Sequence, residues 1–266
     1  MNGLTIISHY FNEEFLLPHW LRWHRNFCSM GVMIDYGSND NSNDIIREIC
    51  PHWKIVQPHY PFFHAKILDE EVTREEKKIE GWKCCLNVTE FIFHHDFANY
   101  LDNIPKEILG VWLPVIAMID TIEDEKKELN SAPLVLQRTN GQFGSGNVRN
   151  TSHGRLVHRA EHGFWVGYGR HASNLGYTIT AQDACHLWFG WSPWNEQFIQ
   201  RKLQIKSKIN PEDRDMVQWT AGTHGMSRET MEHQFRLYQN DARDLMQYPV
   251  YKEIYDNINK KYGTKQ

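Results

Sequence analysis

The N-terminal third of the chain alternates between short apolar runs and amphipathic or charged stretches, and this limits the fold more than any other feature. "LTIISHY" has the length and composition of a buried strand. "NEEFLLPHWLRWHRNF" follows, with Leu16, Leu17, Trp20, Leu21, His24 and Phe27 at helical spacing and an acidic start that suits a helix N-terminus. "GVMID" predicts a second strand and "SNDIIREI" a short helix with Ser42 as its N-cap. "WKIVQP" predicts a third strand, and "AKILDEEVTREEKKIEG" a charged surface helix closed by Gly81. "WKCCLNVTEFIF" predicts a fourth strand. Strands joined by helices across short connections imply an α/β fold with a mostly parallel sheet flanked by helices. Ligands of such sheets bind outside the carboxyl ends of the strands.

The second half is less regular. "GVWLPVIAMI" predicts one more strand, and "EDEKKELN" a solvated charge run. From about Gly141 to Gly190 the chain is dense in Gly, His, Trp and Asn, which predicts loops and short strands forming one wall of a cleft. "SPWNEQFIQRKLQIKSK" predicts a helix capped by Ser192 or Asn195, and "SRETMEHQFRLYQNDARDLM" a second helix. No repeat or low-complexity linker divides the chain, so a single domain with a helical C-terminal cap is expected.

A net charge of -4 argues against a nucleic-acid partner. No stretch approaches the roughly 18 apolar residues that span a bilayer, and "MNGLTIISHYFNEEF" lacks the basic start of a signal peptide. Five cysteines, with Cys84 and Cys85 adjacent, suit reduced buried thiols. A cytoplasmic protein is expected, in which the sequons at Asn87 and Asn150 are chance matches. The 10 Trp, 11 Tyr and 15 His suit a cleft that stacks on flat ligands, and equally an aromatic-rich core.

Neither GxGxxG nor a Walker motif follows the first strand. In their place stand "HYFNEE" and "DYGSNDNS". Asp35, at a strand's carboxyl end, has the chemistry to accept hydrogen bonds from a ribose hydroxyl or a base N–H. Tyr10 on the neighbouring strand is placed to stack on a base, and Ser38 or Asp40 to tie the loop to its own backbone. An ordinary Asp-Gly-Ser turn explains the same residues.

Taken together, "YFNEEFLLPHWLRWH" and "GVMIDYGSNDNS" resemble the N-terminal signature of GT-A glycosyltransferases, the family 2-like and family 92-like groups in particular. The later D-x-D-E-F motif of those enzymes falls on Asn87-Val88-Thr89-Glu90-Phe91, and "HLWFGWSPWNEQFIQRK" looks like a further stretch of them. The resemblance covers residues 5–95 well and 140–225 loosely. It implies a Rossmann-like nucleotide-diphospho-sugar transferase fold over residues 1–266. A nucleotide-sugar-binding half (1–120), an acceptor-side half (121–225) and a C-terminal helical extension (226–266) would divide it. It also implies a nucleotide-sugar donor, UDP by family habit, a glycan or small-molecule acceptor, and a place in glycan biosynthesis.

By that resemblance Tyr10, Asn12, Glu13, Asp35, Ser38, Asp40, Asn87, Thr89 and Glu90 would lie on the donor. A Mn²⁺ or Mg²⁺ ion bridging the diphosphate wants carboxylate oxygens, yet Asn87 and Thr89 stand where two carboxylates are expected. Three outcomes stay open. Arg170 and Lys202 replace the metal; Glu90, His171 and His186 rebuild its site; or the chain is a catalytically inactive sugar-nucleotide or glycan-binding protein. An inverting transfer needs a general base, for which Asp183 and Glu161 are the candidates and Asp213 an outside one. A His-rich metal hydrolase is the remaining alternative; the tract His94-His95-Asp96 does not converge if the strand continues.

Overall fold

The computed structural model describes residues 3–143, 154–210 and 226–263. In chain order come β1 (Leu4–Tyr10), α1 (Leu17–His24), β2 (Cys28–Asp35), α2 (Ser42–Ile49), β3 (Lys54–Val56), α3 (Ala65–Glu76) and β4 (Lys83–Cys85). Then follow β5 (Glu90–Phe93), α4 (Phe97–Asp102), β6 (Gly110–Leu113), β7 (Val115–Ile119), α5 (Leu134–Gln137) and β8 (Asn140–Phe143). The remainder is β9 (Arg155–His158), β10 (Thr178–Thr180), β11 (Cys185–Trp191), α6 (Glu196–Gln204), α7 (Arg228–Asp241), β12 (Arg243–Asp244) and α8 (Pro249–Tyr262).

A seven-stranded sheet in the order β10-β6-β9-β4-β1-β2-β3 forms the centre of the fold. Its pairs β1–β2, β1–β4, β2–β3 and β6–β10 are parallel, whereas β9 runs antiparallel between β4 and β6. The fold is therefore mixed α/β, with a mostly parallel sheet flanked by helices, as the alternation predicts. A second sheet of five strands, β12-β8-β7-β11-β5, stands beside it.

This second sheet corrects two of the expected strands. "WKCCLNVTEFIF" is not continuous: β4 belongs to the central sheet and β5 to the second one, and the chain changes sheets at Asn87–Glu90. "GVWLPVIAMI" is likewise cut at Pro114 into β6 and β7, since proline lacks the N–H that a continued ladder needs. The two crossings are parallel in design. β9 is held between the two strands before the crossings, and β11 between the two after them. One large apolar cluster fills both sides of this seam, including Ile6, Trp20, Phe91, Phe189, Phe198 and Ile258.

β5 is an edge strand, and an edge leaves backbone groups that must find partners. Side chains of α1 supply them. Trp20 Nε1–H donates to the Glu90 carbonyl (2.8 Å), and Trp23 Nε1–H to the Ile92 carbonyl (2.7 Å). His24 accepts the Ile92 N–H on Nε2 (3.3 Å), while its Nδ1 donates to the Trp20 carbonyl (2.9 Å). Burial holds this imidazole neutral, with a pKa near 3, as a ring that both donates and accepts must be.

Smaller expectations also change. Ser42 is the first residue of α2, not its cap; its hydroxyl accepts the Glu13 N–H, and Asp40 accepts the Ser42 N–H. α3 exposes Lys66, Glu70 and Arg74 as a surface helix should, but it is not closed by Gly81. It ends at Glu76, and Asp69, Glu71 and Glu76 on it are buried. Within the charge run, Asp124 is buried and accepts from Thr121, Lys127 and Asn140. α6 is capped by Asn195, one of the two expected caps, through the Phe198 N–H at 2.9 Å. α7 and α8 form the C-terminal helical cap; α7 stops at Asp241, and α8 buries Tyr251, Ile254 and Ile258. All five cysteines are buried free thiols. Among the described residues, no helix is long and apolar enough to cross a membrane.

If α1 closes the β5 edge through its indole N–H groups, Trp20→Phe leaves the Glu90 carbonyl unpaired in the core. Urea denaturation should then show a loss of about 1–3 kcal/mol, with the unfolding cooperativity unchanged.

Candidate functional site

The two segments that carried the resemblance are halves of one hydrogen-bonded clasp at the carboxyl ends of β1 and β2. Asn12, in the left-handed region (φ 52°), donates its N–H to Ser38 Oγ (3.0 Å) and accepts the Asn39 N–H (2.9 Å). Glu14 N–H donates to Asp40 (3.0 Å), and Asn41 donates twice to the Glu14 carboxylate. Asp35 accepts from the Ser38 N–H (2.8 Å) and from Asn43 (2.9 Å). Asn12, Asp35, Ser38 and Asp40 thus hold the loop, and none of them lines the cleft below. Their short polar side chains are consumed by neighbouring backbone.

The clasp leaves the Glu13 side chain facing α6. Arg201 forms a two-pronged ion pair with it, both groups being buried. Gln204 adds a hydrogen bond to the Asn12 carbonyl at 2.7 Å. These contacts draw α6 over the end of β1, and Lys202, the next residue, comes to lie over the Trp191 ring at 4.1 Å.

At the sheet crossing, Glu90 meets Arg155 of β9. Arg155 Nε and Nη2 donate to the two carboxylate oxygens at 2.8 and 2.7 Å, and its Nη1 donates to the Gly169 carbonyl at 2.6 Å. The Asn87 N–H and side-chain amide also donate to Glu90, at 2.8 and 3.2 Å. Burial alone would raise the Glu90 pKa, but the Arg155 guanidinium and these donors outweigh it and hold the carboxyl near 2.

Between the clasp, the crossing and α6 lies a cleft of about 500 Å³. It sits beyond the carboxyl ends of the parallel strands β1 and β4, the place where α/β sheets bind ligands. Arg155, Arg170, Arg201 and Lys202 all line it. The arginines are paired with Glu90, Asp69 and Glu13 respectively. Arg170 holds a left-handed φ of 60°, and its buried Nε has no hydrogen-bond partner among the described residues. No carboxylate of the described residues pairs with Lys202, which is 6% exposed. Burial, and then the charge of Arg201, pull its pKa down to about 7. His186 is neutral, its pKa lowered to about 4 by burial. Its Nδ1 donates to the Leu113 carbonyl (3.3 Å), which leaves Nε2 as an acceptor. Trp188, Trp191 and Tyr238 supply ring surface.

Of the expected site residues, the cleft brings together Tyr10, Glu13, Asn87, Thr89, Glu90, Arg170, His171, His186 and Lys202. Tyr10 spends its hydroxyl on Asn43. Asp183 and Glu161 are exposed and do not line the cleft. Asp183 follows β10 just before β11 begins, near His94, and Glu161 lies in the turn after β9. Asp213 and Asn150 lie outside the described residues. His94 and His95 stack on each other at 4.6 Å. Among the described residues no three His, Cys, Asp or Glu side chains converge as a metal site. The sequence reading missed Arg155 and His9; a lone charge in the apolar run "RLVH" was the available signal for the former.

No protein-family model matches the chain, and no curated protein matches it in sequence. Among solved structures it is similar to glucosyl-3-phosphoglycerate synthase from Mycobacterium tuberculosis in complex with Mn²⁺ and UDP-glucose. The identity is 13%, the match covers 44% of each chain, and the TM-score is 0.31. It is also similar to S. aureus TarS 1–349, at 10% identity over 93% of this chain and 72% of that one, with a TM-score of 0.39. The longer S. aureus TarS matches at 12% identity over 90% of this chain, with the same TM-score. The matched part is 43–44% of the length of the synthase and of the longer TarS. Overlaps this partial do not transfer an activity.

The Lys202 environment has a measurable consequence. Between about pH 7 and the ordinary lysine value of 10.5 the unfolded chain holds a proton that the folded protein has released. Stability should therefore rise with pH across that window, and below it the full cost of burying the charge applies. Lys202→Met should raise stability on the order of 2 kcal/mol at about pH 6. The gain should shrink as the pH approaches 10.5; thermal melts across the range check it.

Proposed function

We propose that this chain is a GT-A glycosyltransferase that binds a nucleoside-diphosphate sugar in the cleft and grips its diphosphate with protein cations. The observation that supports this best is the Lys202 ammonium on the cleft wall, which no carboxylate of the described residues pairs with, beside Arg170, whose guanidinium is paired with Asp69. They stand at the strand ends where the signature segments "YFNEE" and "DYGSND" are clasped. A diphosphate would supply Lys202 with the anionic partner it lacks, since charge-assisted hydrogen bonds to phosphate are among the strongest available to a buried donor.

A divalent ion fits the crossing poorly. Both oxygens of Glu90 are taken by Arg155 and Asn87, and Asn87 and Thr89 add only neutral oxygens. Hard cations want several carboxylate ligands, so no step is assigned to a metal. In the transfer itself, an acceptor hydroxyl oxygen forms the new bond to the anomeric carbon as the bond to the diphosphate oxygen breaks. The electron pair leaves with the diphosphate, where Lys202 and Arg170 offset the developing charge. Attack from the face opposite the leaving group inverts the anomeric configuration. His186 Nε2, a neutral acceptor, takes the hydrogen bond of the acceptor hydroxyl and then its proton as the new bond forms, passing the proton on to water in the cleft. In this reading residues 1–120 form most of the donor site, 121–225 face the acceptor and add Arg170 and Lys202 to the diphosphate, and 226–266 cap the fold as one unit. UDP is the proposed nucleotide. The buried free thiols fit a reducing, cytoplasmic setting.

A second reading, a sugar-nucleotide-binding protein without transfer, is favoured by one observation: the cleft carboxylates Glu13 and Glu90 are both locked in ion pairs. Neither is available as a base.

Calorimetric titration of UDP, GDP and UDP-sugars, each with EDTA or with Mn²⁺, tests the proposal. Binding of at least one UDP compound should persist in EDTA, and Lys202→Met should weaken it about tenfold. Binding that requires Mn²⁺, or no binding in either condition, would overturn the proposal. Binding without transfer to any hydroxyl acceptor would select the second reading.

A further inference from the structure

Between β9 and β10 the chain makes a hairpin with two working faces. The Val166 N–H donates to the Ala172 carbonyl and the Asn174 N–H to the Phe164 carbonyl, both at 3.0 Å. At its tip Gly167, Gly169 and Arg170 all take left-handed φ values. One side of the tip, Gly169 to His171, lines the cleft. The other side carries Phe164, Val166 and Tyr168, which are 43%, 44% and 52% exposed.

Large apolar side chains are seldom clustered in water without a use. Phe164 and Tyr168 border a second groove of about 660 Å³ between the hairpin and the outer side of α3. Trp165 also lines this groove and is fixed in place. Its Nε1–H donates to the buried Glu76 carboxylate (3.2 Å), and its ring rests on Gly163, where any Cβ would collide with it. Phe164 is backed by the stacked His162 ring at 4.0 Å. Ring faces are thus presented rigidly, at little cost in side-chain ordering. Facing them from α3 and the hairpin are polar groups, Thr73, Lys77 and Asn174.

Rigid rings bordered by hydroxyl, amide and ammonium groups match a sugar, whose C–H face stacks on an aromatic ring while its hydroxyls hydrogen-bond at the edge. An apolar peptide or a lipid surface would strip water from Lys66, Glu70 and Lys77 on the facing wall, at a cost that the rings do not offset.

The groove and the cleft share one wall. Asp69 lines the groove, and its carboxylate accepts the Gly169 N–H at 3.0 Å and pairs with Arg170. Both of those residues line the cleft. We propose that the groove of Phe164, Trp165 and Tyr168 binds an oligosaccharide, the distant sugars of an acceptor whose end lies in the cleft. The role as acceptor rests on the glycosyltransferase reading; the binding of sugar does not.

The test uses the full chain and a panel of hexasaccharides from β-glucan, chitin, mannan, galactan and xylan, followed by saturation-transfer NMR and titration. At least one hexasaccharide should bind, and the double substitution Phe164→Ala/Tyr168→Ala should weaken it about tenfold. UDP affinity, read by calorimetry on the same preparations, should stay unchanged and shows that the double variant is folded. Failure of every hexasaccharide to bind the wild-type chain, or equal binding by the double variant, would overturn the proposal. If UDP binds and no hexasaccharide does, the groove alone is refuted; if UDP also fails, the donor reading falls with its own test.

Discussion

The ion pair between Glu90 and Arg155 is the constraint on which the rest of the site depends. Glu90 begins β5 in the second sheet and Arg155 begins β9 in the central one, so the pair is a bolt through the seam. Arg155 also holds the Gly169 carbonyl, which fixes the hairpin tip and with it Arg170. Taking two charges out of water is costly unless the remaining donors and lone pairs are satisfied. Here three donors of Arg155 and both oxygens of Glu90 are used. A carboxylate so engaged has little left for a cation. At the Asn-Val-Thr-Glu strand end, the charge that faces Glu90 is the guanidinium of Arg155.

The same logic runs round the cleft. Arg201 with Glu13 and Arg170 with Asp69 are further buried pairs. Each links a late segment to an early one and leaves little net charge behind. Lys202 breaks the pattern. It is buried beside Arg201 against the Trp191 and Phe198 rings on the cleft wall, and burial lowers its pKa to about 7. The fold neutralises the three arginines of the cleft and leaves Lys202 with no carboxylate partner among the described residues.

The alternation of strands and helices through β4 was legible because each element there is local. Periodicity and a flanking turn define it without reference to the rest of the chain. The sheet crossings were legible only in part. Pro114 marks one of them in the sequence, because a ladder cannot use a proline nitrogen. The other has no breaker: "CCLNVTEFIF" reads as one apolar run, and only the tertiary pairing of β4 with β1 and of β5 with β11 separates its halves. Acidic residues on α3 and at Asp124 read as solvated because charge is normally exposed. The partners of Asp69 and Glu76 lie far away in sequence, at Arg170 and His158, whereas Asp124 is satisfied close by, at Thr121 and Lys127. Trp20 and His24 were placed on a helix by their spacing, but their work on the β5 edge is visible only in the fold. Ser38 and Asp40 were expected to tie the loop to its own backbone, and they accept the N–H groups of Asn12, Glu14 and Ser42; the resemblance alone put them, with Asp35, on a donor.

The most direct measurement is a double-mutant cycle on the seam, with Glu90→Gln, Arg155→Met and the combined variant compared by denaturant unfolding. Each single substitution strands a buried partner and should cost about 3–5 kcal/mol. The double variant should cost well under the sum, because no lone charge remains. Additive losses would show that the two residues act independently. Glu90 would then be free to serve a ligand, contradicting the account.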